Sequence, residues 1–254
     1  MLAIIQVGHN DASDRYIRNK VKAIEQAGMT AEVIHLPEDC STHDVLDAIF
    51  LADERVDCSA IMVQLPLPER IDQYWVKRSI PEHKDIDGLN PRSEYAPLTP
   101  SAIMRWCKEQ NITLVGKKVV ILGRSELVGK PLADLMIDAG AAVTVLNSKT
   151  PESYRRDVCY GADIIVSAVG KVDAVPYEYV NPWHPQLLID VGINQDEDGK
   201  LCGDVSPRAR GIVERYGGYC TPVPGGVGRW TVRELLIRLD EMEGKSLGKN
   251  IVHE

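Results

Sequence analysis

The stretch KKVVILGRSELVGKPLADLM, residues 117–136, has the clearest chemical meaning in the chain. An apolar run ends in a turn holding Gly123 and Gly129, and a helical pattern follows. Such a turn turns backbone amides and a helix N-terminus toward a pyrophosphate. The spacing departs from GxGxxG: Ser125 replaces the middle glycine, and the last glycine comes one position late. A plain βα turn with two glycines therefore reads as well from these residues. The next apolar run ends in VLNSKT, 145–150, about 20 residues beyond the turn, where an NAD site places an acid on the ribose 2′-hydroxyl. Asn147, Ser148 and Lys149 stand there instead, and Arg124 lies in the turn itself. Two cations and two hydrogen-bonding side chains suit a 2′-phosphate, so NADP is expected. NAD stays open, because Glu126 opposes a phosphate and both cations also read as solvated surface charges.

A second group lies in the first half. In SDRYIRNKVKAIEQAG, Ile17, Val21 and Ile24 form one apolar stripe, while Tyr16, Lys20 and Ala23 fall on a neighbouring one. An amine beside an aromatic ring suits a ligand site, and it equally suits a surface pair on an amphipathic helix. Gln64 follows the apolar run AIMV, and Pro66 and Pro68 stop the strand there. It thus sits at a strand's C-terminal end, where open α/β sheets bind ligands. Asp87 lies in the acidic turn KDIDG. Taken singly, Gln64 and Asp87 also read as turn or cap residues.

Apolar runs that predict buried strands position these residues: 2–7, 31–36, 60–67, 118–123, 142–147, 163–169 and 187–193. Helical patterns lie between most of them. Ser13 is expected to cap a helix to Ala27 with Gly28 past its end, Thr42 to cap the next through Ala52, and Gly140 to close a helix over 127–139. Strand–helix alternation implies an α/β fold, with parallel sheets covered on both faces. KDIDGLNPRSEYAPLTPSA breaks the pattern, and a bridging helix, SAIMRWCKEQ, follows it. We read two α/β lobes, the second Rossmann-like. By pattern alone the final helix, TVRELLIRLDEME, fits either lobe.

The chain has 254 residues and a net charge of −8, which argues against a nucleic-acid partner. No apolar run approaches the roughly 20 residues of a membrane helix, and MLAIIQVGHN lacks a signal-peptide pattern. Six dispersed cysteines without CxxC predict reduced thiols and a cytoplasmic protein, and scattered histidines without HExxH predict no metal site.

The elements YIRNK, VQLPLP, KDIDGLN, PLTP, GRSELVGKP, SKT, ADIIVSAVGK, IDVGIN, GDV and TPVPGGVG run in this order over nearly the whole chain. Together they resemble the bifunctional methylenetetrahydrofolate dehydrogenase/methenyltetrahydrofolate cyclohydrolase family. The resemblance implies two α/β lobes with a cleft between, and it returns the last helix to the first. It implies a folate-binding catalytic domain over 1–104 plus 229–254 and an NAD(P)-binding domain over 105–228. It assigns catalysis to Lys20, Tyr16, Gln64 and Asp87, with Lys20 as the proton carrier. Substrate contacts map to Val63, Leu65, Pro224, Gly225 and Gly226. Cofactor contacts map to Gly123, Arg124, Ser125, Val128, Gly129, Asn147, Ser148, Lys149, Gly170 and Ile193. It further implies tetrahydrofolate one-carbon substrates, a link to purine biosynthesis and a homodimer.

Three departures stand out. The family carries a helix and part of a strand ahead of the segment matching LAIIQV. Its CTP and CHS elements read Leu98-Thr99-Pro100 and Leu146-Asn147-Ser148 here. Its Pro-Met after GGVG is Arg229-Trp230. Trp230 is expected to pack under the loop 221–228. Arg229, a cation at a helix start, is expected to meet a ligand or an acidic partner.

Overall fold

A computed structural model describes residues 1–9 and 11–244. The chain divides into two compact units, Met1–Leu98 with the segment from Val232 onward, and Thr99–Thr231. The first boundary lies earlier than the expected 104/105, and the second later than 228/229. The cause of the first is packing: Ile103 and Cys107 of the expected bridging helix join the second unit's core, against Val119, Ile121 and Leu132.

The first unit contains β1 (Leu2–Val7), α1 (Asp11–Gln26), β2 (Ala31–Leu36), α2 (Thr42–Asp53), β3 (Ala60–Val63) and α3 (Gln73–Ser79). Its parallel sheet runs β2-β1-β3. Leu2 to Ile5 of the central strand are all buried, so the run is apolar throughout rather than alternating. Leu2 and Ile4 pack with Ile17 and Ile24 of α1 and with Leu235 and Leu239 of the last helix. α2 touches β1 and buries Val45, Ala48, Ile49 and Ala52.

Two expected caps move. α1 begins at Asp11, so Ser13 lies inside the helix; the polar run HNDASD offers several capping residues and singles out none. α2 is capped by Ser41, not Thr42. Ser41 Oγ accepts from Asp44 N at 3.3 Å, and Ser41 N in turn donates to Asp44 Oδ2 at 2.7 Å. Thr42 Oγ1 instead accepts from Asp72 N at 2.9 Å.

The second unit adds α4 (Leu98–Glu109), β4 (Lys118–Leu122), α5 (Gly129–Asp138), β5 (Ala142–Leu146), α6 (Glu152–Tyr160), β6 (Ile164–Ser167), β7 (Leu187–Asp190), β8 (Asn194–Gln195), β9 (Leu201–Cys202), α7 (Pro207–Arg215) and β10 (Tyr219–Cys220). Its five-stranded sheet runs β10-β7-β6-β4-β5, all parallel, and β8-β9 form a small antiparallel pair. Period-two alternation divides the core into two layers. Val120, Leu122 and Leu188 face Cys159, Ala209 and Val213 of α6 and α7. Val119, Ile121 and Ile189 face the α4 and α5 side. The chain closes with α8 (Val227–Met242). Strands 60–67, 163–169 and 187–193 are shorter than the apolar runs that predicted them, and the two-residue edge strand β10 had no such run.

Candidate functional site

In the first unit, the apolar stripe of α1 fixes its rotation on the sheet. Ile17 and Ile24 enter the core, which turns Tyr16 and Lys20 along one flank. Lys20 is 4% exposed, and its Nζ meets Met62 Sδ at 3.2 Å and the Tyr16 ring centroid at 4.3 Å. Burial lowers the pKa of this amine; the charge of Asp87 acts in the opposite sense and is the smaller effect. Burial, and then Asp87, push the Tyr16 hydroxyl up to about 12, so the ring is neutral at physiological pH. Asp87 directly follows the fully buried Ile86 and is half-buried.

Gln64 N donates to Ile5 O at 2.9 Å, extending the parallel ladder one residue past β3. By strand alternation, Gln64 then shares a face with Met62, the residue that touches Lys20. Its Nε2 donates to Leu65 O at 2.6 Å, while its buried Oε1 has no hydrogen-bond partner. A buried acceptor left unpaired costs about 1–3 kcal/mol, so it marks a place for an incoming donor. Val63 is fully buried beside it and Leu65 is half-buried.

In the second unit, β4 pairs with β5 on one side and β6 on the other, which makes β4 the topological switch point. A cavity of about 710 Å³ opens at the strand ends, lined by residues that include Gly123, Arg124, Ser125, Asn147, Ser148 and Ala168. Both glycines of the turn are required by close approach. A Cβ on Gly123 would stand 2.4 Å from Ala168 O, and one on Gly129 2.2 Å from Gly123 O. Ser125 Oγ accepts from the amides of Val128 at 3.2 Å and Gly129 at 3.4 Å, so a hydroxyl occupies the amides opening α5. Asn147 Oδ1 accepts from Lys149 N at 2.8 Å and shapes the turn after β5.

The expected cofactor residues divide. Gly123, Arg124, Ser125, Asn147 and Ser148 line the cavity. The lining does not include Val128, Gly129, Lys149, Gly170 or Ile193. Lys149 is exposed and Ile193 is 65% exposed, whereas Gly170 belongs to a loop over a buried carboxylate. In place of Lys149 the lining supplies Arg155 and Lys171, opposed by Glu152 and Asp173. Glu152 pairs with Arg155 and accepts from Tyr179 Oη at 2.7 Å.

Sequence reasoning missed that buried carboxylate. Asp204 Oδ2 accepts from Ser167 Oγ at 2.8 Å, Val169 N at 2.8 Å and Gly170 N at 3.2 Å. Its Oδ1 accepts from Lys171 N at 3.0 Å and Asn194 Nδ2 at 2.9 Å. Asp204 therefore shapes the loop after β6 that lines the cavity. Asp190 in turn accepts from the amides of Gly192, Asp204 and Val205 at 2.8–3.1 Å, and burial raises its pKa. The acids of IDVGIN and GDV were the available signal.

In the loop 221–226, Pro224 and Gly225 are exposed and Gly226 is buried. Gly226 O accepts from Arg229 N at 3.0 Å and Trp230 N at 3.3 Å at the start of α8. Trp230 stacks on Trp106 of α4, with centroids 4.3 Å apart and planes inclined at 13°. Its cover is thus an aromatic partner on the second unit's core as well as the loop. Arg229 is exposed and is not part of the lining of the 710 Å³ cavity. Among the described residues, no helix is long and apolar enough to cross a membrane, and no group of three or more His, Cys, Asp or Glu could hold a metal ion.

A parallel doubly wound sheet with a cavity at its switch point defines a dinucleotide-binding unit, here in one chain with an α/β unit that buries a lysine. The chain belongs to the tetrahydrofolate dehydrogenase/cyclohydrolase family: the model of its catalytic domain matches residues 1–87, and that of its NAD(P)-binding domain matches residues 97–245. A bifunctional protein FolD from Lysinibacillus sphaericus is 40% identical over 246 residues, covering 92% of this chain and 84% of that protein. One from Methanoculleus marisnigri is 43% identical over 244 residues, with the same coverage. Among solved structures, FolD methylenetetrahydrofolate dehydrogenase/cyclohydrolase from Campylobacter jejuni is similar at a TM-score of 0.88 and 36% identity, covering 96% of this chain and 87% of that one. The Trypanosoma brucei enzyme, complexed with NADP cofactor and inhibitor, gives 0.87 and 33%, covering 95% and 85%.

Proposed function

We propose that the chain oxidises 5,10-methylenetetrahydrofolate to 5,10-methenyltetrahydrofolate with NADP and hydrolyses the product to 10-formyltetrahydrofolate. The observation that carries this reading is Lys20: an amine buried beside Tyr16, within the field of Asp87, in the catalytic-domain unit. The cavity of the other unit fits the dinucleotide: it opens at the strand ends beside the βα turn, and Arg124, Ser125, Asn147, Ser148 and Lys171 line it with charged and hydrogen-bonding side chains. Gly123, Ser125, Asn147 and Ser148 hold it, and Arg124 supplies positive charge for the 2′-phosphate. Bound there, NADP supplies the hydride acceptor. That step needs no protein acid or base, because the product is an amidinium-like cation; it needs orientation and exclusion of water.

Hydrolysis does need a proton carrier. As the water oxygen bonds to the methenyl carbon, Lys20 Nζ takes one of its protons. The other reaches the departing ring nitrogen as the carbon–nitrogen bond breaks, so one proton in total is released to solvent. Burial favours the neutral amine this requires, and the substrate's positive charge favours it further. Gln64 Oε1 accepts from the amine and orients it. Tyr16 stacks on the aminobenzoyl ring, and Asp87 accepts from the pterin 2-amino and N3 groups. Val63, Leu65, Pro224, Gly225 and Gly226 are proposed as further substrate contacts, and Val128, Gly129, Lys149, Gly170 and Ile193 as further cofactor contacts.

The test follows methenyl absorbance with methylenetetrahydrofolate and NADP, and then its decay. A rise followed by enzyme-accelerated decay supports both activities. A rise with uncatalysed decay leaves a monofunctional dehydrogenase, and no rise leaves a binding module; either result contradicts the proposal. We also propose a cytoplasmic homodimer that feeds formyl-consuming steps such as purine biosynthesis. Edge strand β5, with Val145 exposed, supports pairing, and sedimentation at the monomer's 28.1 kDa would exclude it.

A further inference from the structure

The turn that carries Asp87 is held from a distant part of the chain. Arg238 lies on α8 and is 4% exposed. Its Nη1 donates to Ile86 O at 2.8 Å and to Ala96 O at 2.9 Å. These carbonyls sit at the two ends of the segment 86–96, and the first belongs to the residue preceding Asp87. Between them the chain folds back on itself so closely that a Cβ on Gly88 would stand 2.6 Å from Tyr95 O. The guanidinium also lies 4.9 Å from the Tyr95 ring centroid and 3.6 Å from Glu234 Oε1. Asp85 pins the same turn from inside, its Oδ2 accepting from Asn90 N at 2.7 Å.

A buried cation is costly unless several partners share it, and the two N–H bonds of Nη1 reach both carbonyls while Nη2 faces Glu234. Anchoring α8 alone would need only one of these contacts. We propose that Arg238 is a positioning residue for substrate binding, closing the 86–96 turn so that Asp87 is held at the depth where it accepts from the pterin. The inference rests on the folate-binding reading of Asp87.

A double-mutant cycle tests it, with the KM for methylenetetrahydrofolate and the KM for NADP measured in each variant. Arg238→Gln is expected to raise the folate KM about tenfold and leave the NADP KM unchanged. In an Asp87→Asn background the same change is expected to add nothing, because its effect passes through Asp87. Arg238→Lys keeps the charge but loses the second nitrogen that faces Glu234 while the first serves the carbonyls. It is expected to raise the folate KM by a smaller factor, and it decides the matter if Arg238→Gln does not fold. An unchanged folate KM in the folded variants overturns the inference, as does an equal factor in both backgrounds or a parallel rise for NADP. If Asp87→Asn alone leaves the folate KM unchanged, the assignment of Asp87 itself fails and the inference falls with it.

Discussion

The two polar centres of this molecule are built on opposite plans. Around Asp204, in the cofactor-binding unit, a buried carboxylate is saturated by five donors, and Asp190 beside it takes three amides. Around Lys20, in the catalytic unit, polar groups are left short. The amine touches a thioether and a ring face rather than a carboxylate, and Gln64 Oε1 has no hydrogen-bond partner. Saturation fixes a loop in one shape, whereas unmet donors and acceptors are a cost to the fold that a substrate can relieve. The first centre therefore reads as scaffold and the second as chemistry, although both bury ionisable side chains.

Breaking the saturated centre should have the largest effect. Asp204→Ala strands a hydroxyl, three amides and a carboxamide, and it is expected to cost about 3–5 kcal/mol, as for other buried charged networks. Thermal unfolding measures it, and a loss below about 1 kcal/mol would mean that water replaces the carboxylate there. A smaller and more selective effect is expected at the cavity. Arg124→Ser should raise the KM for NADP about tenfold while leaving NAD nearly unaffected, as for loss of one charged phosphate contact. Equal losses for both cofactors would place Arg124 away from the 2′-phosphate.

The fold was legible where apolar runs meet glycines. The runs at 118–123 and 142–147, with Gly123 and Gly140, mark β4 and β5 and the ends that meet them. Unbroken apolar runs in turn signal strands buried on both faces. Caps were less legible, because HNDASD and CST each offer several competent side chains; in CST, Ser41 caps α2 while Thr42 accepts from Asp72 N, 30 residues on. At the site, a four-residue spacing on one helix put Tyr16 beside Lys20. By contrast, Asp204 and Arg238 act across 37 and 152 residues, and Arg155 takes its meaning from the cavity wall, which no local spacing encodes. Lys149 lies in the motif yet outside the cavity lining, and its backbone amide closes a turn on Asn147.

The central claim is that Lys20 is buried for proton transfer rather than for stability, and Lys20→Met tests it most directly in a single absorbance trace. With methylenetetrahydrofolate and NADP, the methenyl signal should rise with the NADP KM unchanged. Its enzyme-dependent decay should fall by about 10²–10⁴-fold, the usual span of a general base. Replacing a buried, pKa-lowered amine by an apolar chain should also raise Tm at neutral pH. There the unfolded lysine binds a proton more readily than the folded one, so the folded state bears the penalty until pH climbs past the unfolded value. Decay as fast as in the wild-type protein would contradict the account.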